Sequence, residues 1–282
     1  MVNFNGNIVE HYTDKLSLEN RGYKFGDALF ETLKVVHNRI LFWEDHYFRL
    51  MASMRILRME IPMTFTMEFL EDEILNTIGA NHLEASTVRV RLNIDRGEGG
   101  KYRPEKQQVN YSILTDRIRD DVYGISEDLH TTVDLFKDYF VAPSLLSTLK
   151  TNNKIINVLG SIYAQENALD NCLLLNTNKH VVEALNGNLF LVNGTLIKTP
   201  PLEDGCIKGV MRKQLIELIK SSDVYEILEA SISAFELQKA DELFITNVIQ
   251  GIQPISIYRK KTYGIEVSKD LTQWLNAKIQ LL

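Results

Sequence analysis

The residue best suited to covalent chemistry in this chain is Lys150, which ends a short apolar run and precedes a helix-like segment. A lysine that apolar neighbours shield loses its proton more readily, because burial disfavours the ammonium form. The neutral amine is then a nucleophile that can form a Schiff base with an aldehyde. Lys154, one helical turn further along, is the rival candidate. Charged side chains are mostly surface residues, so residue type alone leaves both roles open.

Glu183 is the second residue whose position suggests chemistry. It closes a predicted hairpin in which residues 173–175 and 181–183 are strands and residues 176–179 form the turn. A carboxylate held at such a place can keep a ring nitrogen of a bound heterocycle protonated. The alternative is an ordinary solvated acid, since the chain contains 37 acidic residues.

Two glycine-containing segments are candidates for binding an anion. Residues 205–212 run into a predicted helix, and the free N–H groups and dipole at a helix start favour a phosphate. An ordinary glycine-capped helix entry is the alternative. Residues 244–251 end a buried strand in polar residues and a glycine, which also offers backbone N–H groups. Arg49 can supply a fixed positive charge, or it is a solvated helix residue.

Composition narrows the class of protein. The chain has 282 residues, enough for one large or two ordinary domains. Hydrophobic residues make up 45% and the net charge is −6, which indicates a soluble globular protein and argues against nucleic-acid binding. Apolar runs are too short for a membrane span, and the first residues show no secretion signal, so we expect a cytoplasmic protein. The two cysteines and six histidines lack metal-binding spacing, so buried free thiols and no metal are expected.

The hydrophobic pattern predicts an α+β protein with mixed α/β character and two domains. The first domain spans residues 1–117, with mainly antiparallel strands and helices at 43–57 and 66–78. A polar linker covers residues 118–128. A mixed β-barrel-like domain with helices, which carries the candidate lysine, spans residues 129–282. No β-α-β rhythm occurs, so a doubly wound sheet is not supported.

The second half has a denser pattern of short predicted elements. The predicted helices lie at about 154–168, 208–219, 233–238 and 268–281. The predicted strands lie at 131–136, 173–175, 181–183, 189–192, 196–199, 225–228, 242–246 and 254–258.

Six motifs, taken together, resemble those of the class IV (fold type IV) pyridoxal-phosphate enzymes. That family includes branched-chain aminotransferases, D-amino-acid aminotransferases and aminodeoxychorismate lyases. The resemblance covers essentially the whole chain, and its specificity comes from the common order and spacing of motifs that are loose individually. The motifs are residues 21–27, residues 46–50, Lys150 with Asn153, residues 183–190, residues 209–212 and Thr246 with Asn247.

The resemblance implies a pyridoxal 5′-phosphate cofactor between two domains and a homodimer that completes each site. Lys150 resembles the Schiff-base lysine, and Glu183 resembles the partner of the pyridinium nitrogen. The other implied cofactor-binding residues are the phosphate-binding Arg49, the apolar Ile207 against the ring, Val210 and Met211 at the helix start, and Asn247 and Val248 on the second phosphate loop.

Phe30 and Arg96 are the predicted substrate-binding residues. Arg96 follows a predicted strand, residues 87–94, and enters a glycine-rich loop that could fold over a ligand. An arginine there can offer a substrate carboxylate a planar bidentate pair. The alternative is a solvated loop arginine, because exposed charges contribute little.

The implied activity is transfer of an amino group between an amino acid, of branched-chain or D-amino-acid type, and a 2-oxo acid. The alternative is aminodeoxychorismate lyase, which forms 4-aminobenzoate and pyruvate. Asn153, the 96–102 loop and Thr246-Asn247 resemble the lyase branch, although the loop lacks one glycine of the usual lyase spacing. Val248 stands where many aminotransferases have threonine, so it can contact phosphate only through its backbone. A non-catalytic ligand-binding protein is the third possibility.

Overall fold

The computed structural model describes residues 1–10, 17–126 and 130–281. Residues 127 and 128 of the predicted linker, and residue 129 at the predicted start of the second domain, lie outside them. The chain forms two compact units, residues 1–121 with 150–153 and residues 122–149 with 154–282. The division along the chain predicted from sequence assigned residues 150–153 to the second domain.

The first unit contains a six-stranded sheet in the order β2-β1-β6-β5-β3-β4, in which all neighbours are antiparallel. Its strands are β1 (Val2–Phe4), β2 (Asn7–Val9), β3 (Ala28–Val36), β4 (Arg39–Ile40), β5 (Thr87–Arg96) and β6 (Val109–Ile118). The central β5 alternates buried and half-buried residues, with Val88, Val90, Leu92 and Ile94 inward. This alternation is the period of a strand with one buried face.

In the part of the first unit that the structure describes, three α-helices accompany this sheet: α1 (Arg21–Phe25), α2 (Trp43–Ile56) and α3 (Met67–Ala80). The α2 and α3 predictions agree with the structure to within about two residues at each end. In α2 the side chains of Leu50, Met51 and Met54 are buried, whereas Phe48 is exposed. The motif at residues 21–27 contains the short helix α1, whose C-cap is Gly26 with a left-handed φ of 65° that suits glycine.

Residues 150–153 join the first unit by pairing with β3. The N–H of Phe30 donates to the Lys150 carbonyl at 2.9 Å, and the N–H of Asn152 donates to the Ala28 carbonyl at 3.1 Å. Leu29 and Thr151 form the bridge between these two bonds. The backbone of Lys150 is therefore fixed in place by its pairing with β3.

The second unit is built on an 11-stranded mixed sheet. Its strands are β7 (Thr132–Val141), β8 (Asn171–Asn176), β9 (His180–Ala184), β10 (Asn188–Asn193), β11 (Leu196–Thr199), β12 (Glu226–Glu229), β13 (Ile232–Ser233), β14 (Glu242–Asn247), β15 (Gly251–Ile255), β16 (Ile257–Tyr258) and β17 (Lys261–Thr262). Strand β10 is buried on both sides, which explains its unbroken apolar run. Leu189 faces one apolar cluster and Phe190 the other, where it stacks on Phe244 at 4.9 Å.

The helices of this unit are α4 (Ile155–Glu166), α5 (Val210–Lys220), α6 (Ala234–Lys239) and α7 (Glu266–Gln280). All four lie where the sequence predicts them. Leu215 of α5 and Leu271 of α7 pack into the cluster that contains Phe190. Among the described residues, no helix is both long and apolar enough to cross a membrane.

Candidate active site

Lys150 of the first unit lies against an aromatic ring. Its Nζ is 4.0 Å from the centre of the Phe30 ring, and the guanidinium carbon of Arg91 is also 4.0 Å from that centre. Phe30 is itself 9% exposed. The structure thus brings Phe30, a predicted substrate-binding residue, into direct contact with the predicted Schiff-base lysine.

Arg49, the predicted phosphate-binding arginine, is fixed by a buried acid on β3. Its Nε donates to Glu31 Oε1 at 2.8 Å, and its Nη2 donates to Oε2. His46 Nδ1 lies 2.8 Å from the same Oε2. Burial alone raises the pKa of Glu31, but Arg49 and His46 outweigh it and lower that pKa to about 2. Glu31 therefore orients Arg49 as a rigid, charged group.

His46 is surrounded so that it stays neutral. Burial lowers the pKa of His46, and the positive charges of Arg49 and Lys150 lower it further. The hydrogen bond and the negative charge of Glu31 raise that pKa in part. The Lys150 effect also shows that the lysine lies near this cluster. Sequence reasoning gave Glu31 and His46 no role, although an acid within the apolar run of β3 was a usable signal.

Replacing Glu31 with Gln should reveal this cluster in the pH dependence of stability. Its folded pKa is depressed below 4.5, so its contribution is present above pH 4.5 and is lost as the pH falls toward about 2. The shift corresponds to about 3 kcal/mol. We expect the variant to unfold more easily at pH 7 and to lose less stability than wild type between pH 4.5 and 2, as measured by urea unfolding at each pH.

The matched control is Glu44→Gln, which removes an exposed acid from α2, the helix that carries His46 and Arg49. It should leave the pH profile of the unfolding free energy unchanged. Parallel wild-type and Glu31→Gln profiles would contradict the ion-pair description.

Arg96, the other predicted substrate-binding residue, is in a different place from the one expected. It continues the buried alternation of β5 and is 6% exposed, rather than entering the loop. Its Nε donates to Asp27 at 2.9 Å and its Nη1 donates to the Arg58 carbonyl at 3.1 Å; Gln107 and the Leu57 carbonyl accept further N–H groups. A guanidinium so occupied does not present the fork that a substrate carboxylate needs. The structure therefore argues against substrate binding by Arg96 and favours a structural role.

Lys154, the rival lysine, belongs to the second unit and precedes α4 as its N-cap residue. Burial lowers its pKa, and the charge of Glu183 opposes this shift. Lys154 thus has a shielded amine that is close enough to Glu183 to feel its charge. These properties make Lys154 a stronger candidate for the reactive amine than its position in the sequence indicated.

Glu183 of β9 is buried and accepts a backbone hydrogen bond. The N–H of Ile207 donates to Glu183 Oε2 at 2.8 Å. Glu183 is 7% exposed, and a hydrogen bond to the charged form helps to keep a buried carboxylate ionised. The structure therefore brings together two predicted cofactor-binding residues, Glu183 and Ile207.

The start of α5 matches the predicted anion site. The helix begins at Val210 with Gly209 as N-cap, and none of the described side chains caps it by a hydrogen bond. The N–H groups of Val210 and Met211 therefore lie in the first turn, where the helix dipole favours a negative group. Only two residues separate Ile207 from this helix start.

The second predicted phosphate loop follows β14. Asn247 Oδ1 accepts the N–H groups of Ile249 at 3.0 Å and Gln250 at 2.9 Å, so the Asn247 side chain closes its own turn. Val248 is 8% exposed. Thr246, which sequence reasoning left without a role, has a buried hydroxyl oxygen without a hydrogen-bond partner among the described residues. Such an unsatisfied atom beside a polar loop fits a place for a bound group or water.

These groups supply what pyridoxal phosphate requires of a protein. Lys150 offers an amine for its aldehyde, Glu183 a buried carboxylate for its ring nitrogen, and the α5 start a set of N–H groups for its phosphate. No group of histidine, cysteine, aspartate and glutamate side chains that could hold a metal ion occurs in the described ranges. Each of these groups, within its own unit, is chemically suited to an aldehyde cofactor.

Comparison with known proteins places the chain in a family. The sequence profile of the family described as amino-transferase class IV matches residues 28–258, which is more than half of the chain. The chain therefore belongs to the class IV aminotransferase family, whose members are pyridoxal-phosphate-dependent enzymes. The predicted family, fold class and cofactor are thereby confirmed.

Individual relatives include both branches of the family. The putative branched-chain-amino-acid aminotransferase of Methanocaldococcus jannaschii is 28% identical over 277 residues, covering 96% of this chain and 94% of that protein. The aminodeoxychorismate lyase of Vibrio harveyi is 25% identical over 240 residues, covering 85% of this chain and 86% of that protein.

A solved structure shares the fold. The branched-chain aminotransferase of the archaeon Thermoproteus uzoniensis, solved with norvaline, superposes with a TM-score of 0.85 at 21% identity, covering 96% of this chain and 92% of that one. At this identity the likeness supports the fold alone.

Proposed function

We propose that this protein is an aminotransferase that moves an amino group between an amino acid, of branched-chain or D-amino-acid type, and a 2-oxo acid. The observation that carries the proposal is the family match, since residues 28–258 include both Lys150 and Glu183. The Methanocaldococcus jannaschii relative, aligned over nearly its whole length, supports the branched-chain type.

Each residue then has a defined task. Bound pyridoxal phosphate supplies an aldehyde that bonds to amines and a ring that accepts an electron pair. Lys150 Nζ would be the amine that bonds to this aldehyde and the base that takes the substrate Cα proton. Glu183, whose carboxylate is oriented by the Ile207 N–H, would be the partner of the ring nitrogen.

The remaining proposed residues bind and orient. The N–H groups of Val210 and Met211 in the second unit, and Arg49 in the first unit, fixed by Glu31, are the groups that would bind the phosphate. Asn247 and Val248 would contribute the second phosphate-binding loop, and Ile207 would offer an apolar side chain to the ring. Phe30 lines the substrate side of Lys150.

The lyase activity is the second candidate, in which the same lysine promotes loss of pyruvate from aminodeoxychorismate. Two observations favour it: the Vibrio harveyi relative at 25% identity, and Asn153 with Thr246-Asn247, which resemble the lyase branch. Asn153 donates to the Gly26 carbonyl at 3.2 Å, so in this structure it helps to hold residues 150–153 on the first unit.

A product assay separates the two activities. Protein loaded with pyridoxal phosphate is incubated with 2-oxoglutarate and either L-leucine, L-valine or D-alanine, and separately with aminodeoxychorismate. We expect glutamate from at least one amino donor. Pyruvate and 4-aminobenzoate, without glutamate from any donor, would establish the lyase instead. Lys150→Ala serves as the inactive control in both assays.

Two further expectations stay predictions. The homodimer that the resemblance implies is tested by sedimentation equilibrium, against the 32.4 kDa of a single chain. The cytoplasmic location is tested by cell fractionation.

A further inference from the structure

We propose that Asn188 is a positioning residue that fixes the turn formed by residues 207–209 and, through it, both the Glu183 contact and the phosphate-binding helix start. This inference rests on the proposed cofactor site and assigns a role to a side chain that does not itself touch the cofactor. Asn188 is the first residue of β10 and is 5% exposed.

Two neighbouring strands hold the Ile207 residue through its two backbone polar groups. Asn188 Nδ2 donates to the Ile207 carbonyl at 2.8 Å, while the Ile207 N–H donates to Glu183 Oε2 at 2.8 Å. Asn188 and Glu183 are direct cross-strand partners. Because the N–H and the carbonyl of Ile207 are both held by adjacent strands, the direction in which its side chain leaves the backbone is fixed.

Asn188 also lies beside the second predicted phosphate loop. It pairs across the sheet with Thr246, the residue before Asn247. Directly opposed residues of antiparallel strands place their side chains on the same side of the sheet. Asn188 is therefore the central member of a row that runs from Glu183 to Thr246.

Gly209 shows how closely Asn188 approaches the turn. Its φ of −69° and ψ of 137° are ordinary for any residue, so backbone conformation does not require glycine. A Cβ at this position would overlap Asn188 Oδ1. The glycine is required because the asparagine side chain occupies the space next to the N-cap of α5.

The turn formed by residues 207–209 therefore links the group proposed for the cofactor ring, Glu183, with the helix start proposed for the cofactor phosphate. The Ile207 carbonyl also accepts the Gly209 N–H at 2.8 Å, so the turn has a hydrogen bond of its own. Loss of Asn188 would therefore leave the turn formed, with the Ile207 N–H on Glu183 and the Lys208 N–H on the Thr148 carbonyl, but would remove the anchor on the Ile207 carbonyl and allow the turn to shift. The N–H groups of Val210 and Met211 would then lose their alignment with the phosphate.

The test compares binding of pyridoxal phosphate with binding of pyridoxal, which lacks the phosphate. Both are titrated into cofactor-free protein and followed by absorbance. Asn188→Ala should lower the affinity for pyridoxal phosphate at least about tenfold, or roughly 1.4 kcal/mol, and should lower the affinity for pyridoxal much less. A purely structural role would lower both equally, and that result would overturn the inference.

The matched control is Asn171→Ala. Asn171 is also 5% exposed, and it holds the β9–β10 turn by accepting the Leu185 N–H at 3.2 Å. We expect this variant to lose thermal stability while keeping the wild-type ratio of the two affinities. The same fall in the ratio in both asparagine variants would also overturn the inference.

A second variant keeps the test valid even if Asn188→Ala folds poorly. Gly209→Ala should reduce the affinity ratio in the wild-type background, because its Cβ meets Asn188 Oδ1. An unchanged affinity ratio in Gly209→Ala alone would contradict the proposed contact. Where Asn188→Ala folds, the same change in that background should have little further effect, since contacting residues are non-additive. Additive losses would contradict the proposed contact. Failure of wild type to bind pyridoxal phosphate at all would overturn the proposed function, and this inference with it.

Discussion

Lys150→Ala protein is expected to show none of the visible absorbance that wild-type protein acquires on addition of pyridoxal phosphate. That absorbance requires a bond between the cofactor and a lysine amine, and alanine provides no nucleophile. Backbone hydrogen bonds hold the Lys150 segment on β3, so side-chain truncation should leave the fold intact. Turnover should fall by several orders of magnitude, because the same amine removes the Cα proton. Spectra recorded at equal protein concentration, with circular dichroism as a check on folding, make the comparison.

Lys154→Ala is the matched control, and it is informative because Lys154 also has properties of a reactive amine. Burial lowers the pKa of Lys154, and Glu183 is close enough to oppose that shift. These are properties expected of a reactive amine. We nevertheless expect Lys154→Ala to retain the absorbance, because Lys150 carries the family spacing and contacts Phe30. Loss of the absorbance in Lys154→Ala alone would transfer the role to the rival lysine.

Glu183→Gln should slow the removal of the substrate Cα proton by at least about tenfold, equivalent to roughly 1.4 kcal/mol of transition-state stabilisation. A neutral amide does not hold the ring nitrogen protonated, so the ring accepts the electron pair less readily. The amide oxygen can still accept the Ile207 N–H, so the cofactor should stay bound. The rate is measured as loss of deuterium from the Cα of a labelled amino acid in a single turnover.

Glu242→Gln provides a control of the same chemical kind. Glu242 is a buried carboxylate on β14, 4% exposed, which accepts the N–H groups of Val267 at 2.8 Å and Ser268 at 3.0 Å at the start of α7. Its replacement should reduce thermal stability and leave the proton-removal rate at the wild-type value. Wild-type kinetics in Glu183→Gln would remove Glu183 from the chemistry.

Local patterns made most of the fold predictable. The alternation along β5 and the helical spacing in α2 and α3 are short-range signals, and each identified its element. The same alternation, followed two residues further, would have placed Arg96 on the buried face with Ile94. That error came from ending the strand too early at a glycine-rich segment.

Long-range contacts were beyond such patterns. The pairing of residues 150–153 with β3 joins segments that lie far apart along the chain, and no local period encodes it. Likewise, Glu31 is recognisable as an acid in an apolar strand, but its partnership with Arg49 follows only from the packing of α2 on β3. Asn188 lies in the motif at residues 183–190, yet its hydrogen bond to Ile207 depends on two strands and a turn.

The most direct test of the central claim is to identify which lysine bonds to the cofactor. Wild-type protein loaded with pyridoxal phosphate is treated with borohydride, which makes the carbon–nitrogen bond permanent, and is then digested and mapped by mass spectrometry. A peptide carrying the cofactor mass on Lys150, with Lys154 unmodified, is the predicted result. The cofactor mass on Lys154, or on no lysine of residues 150–154, would contradict the account.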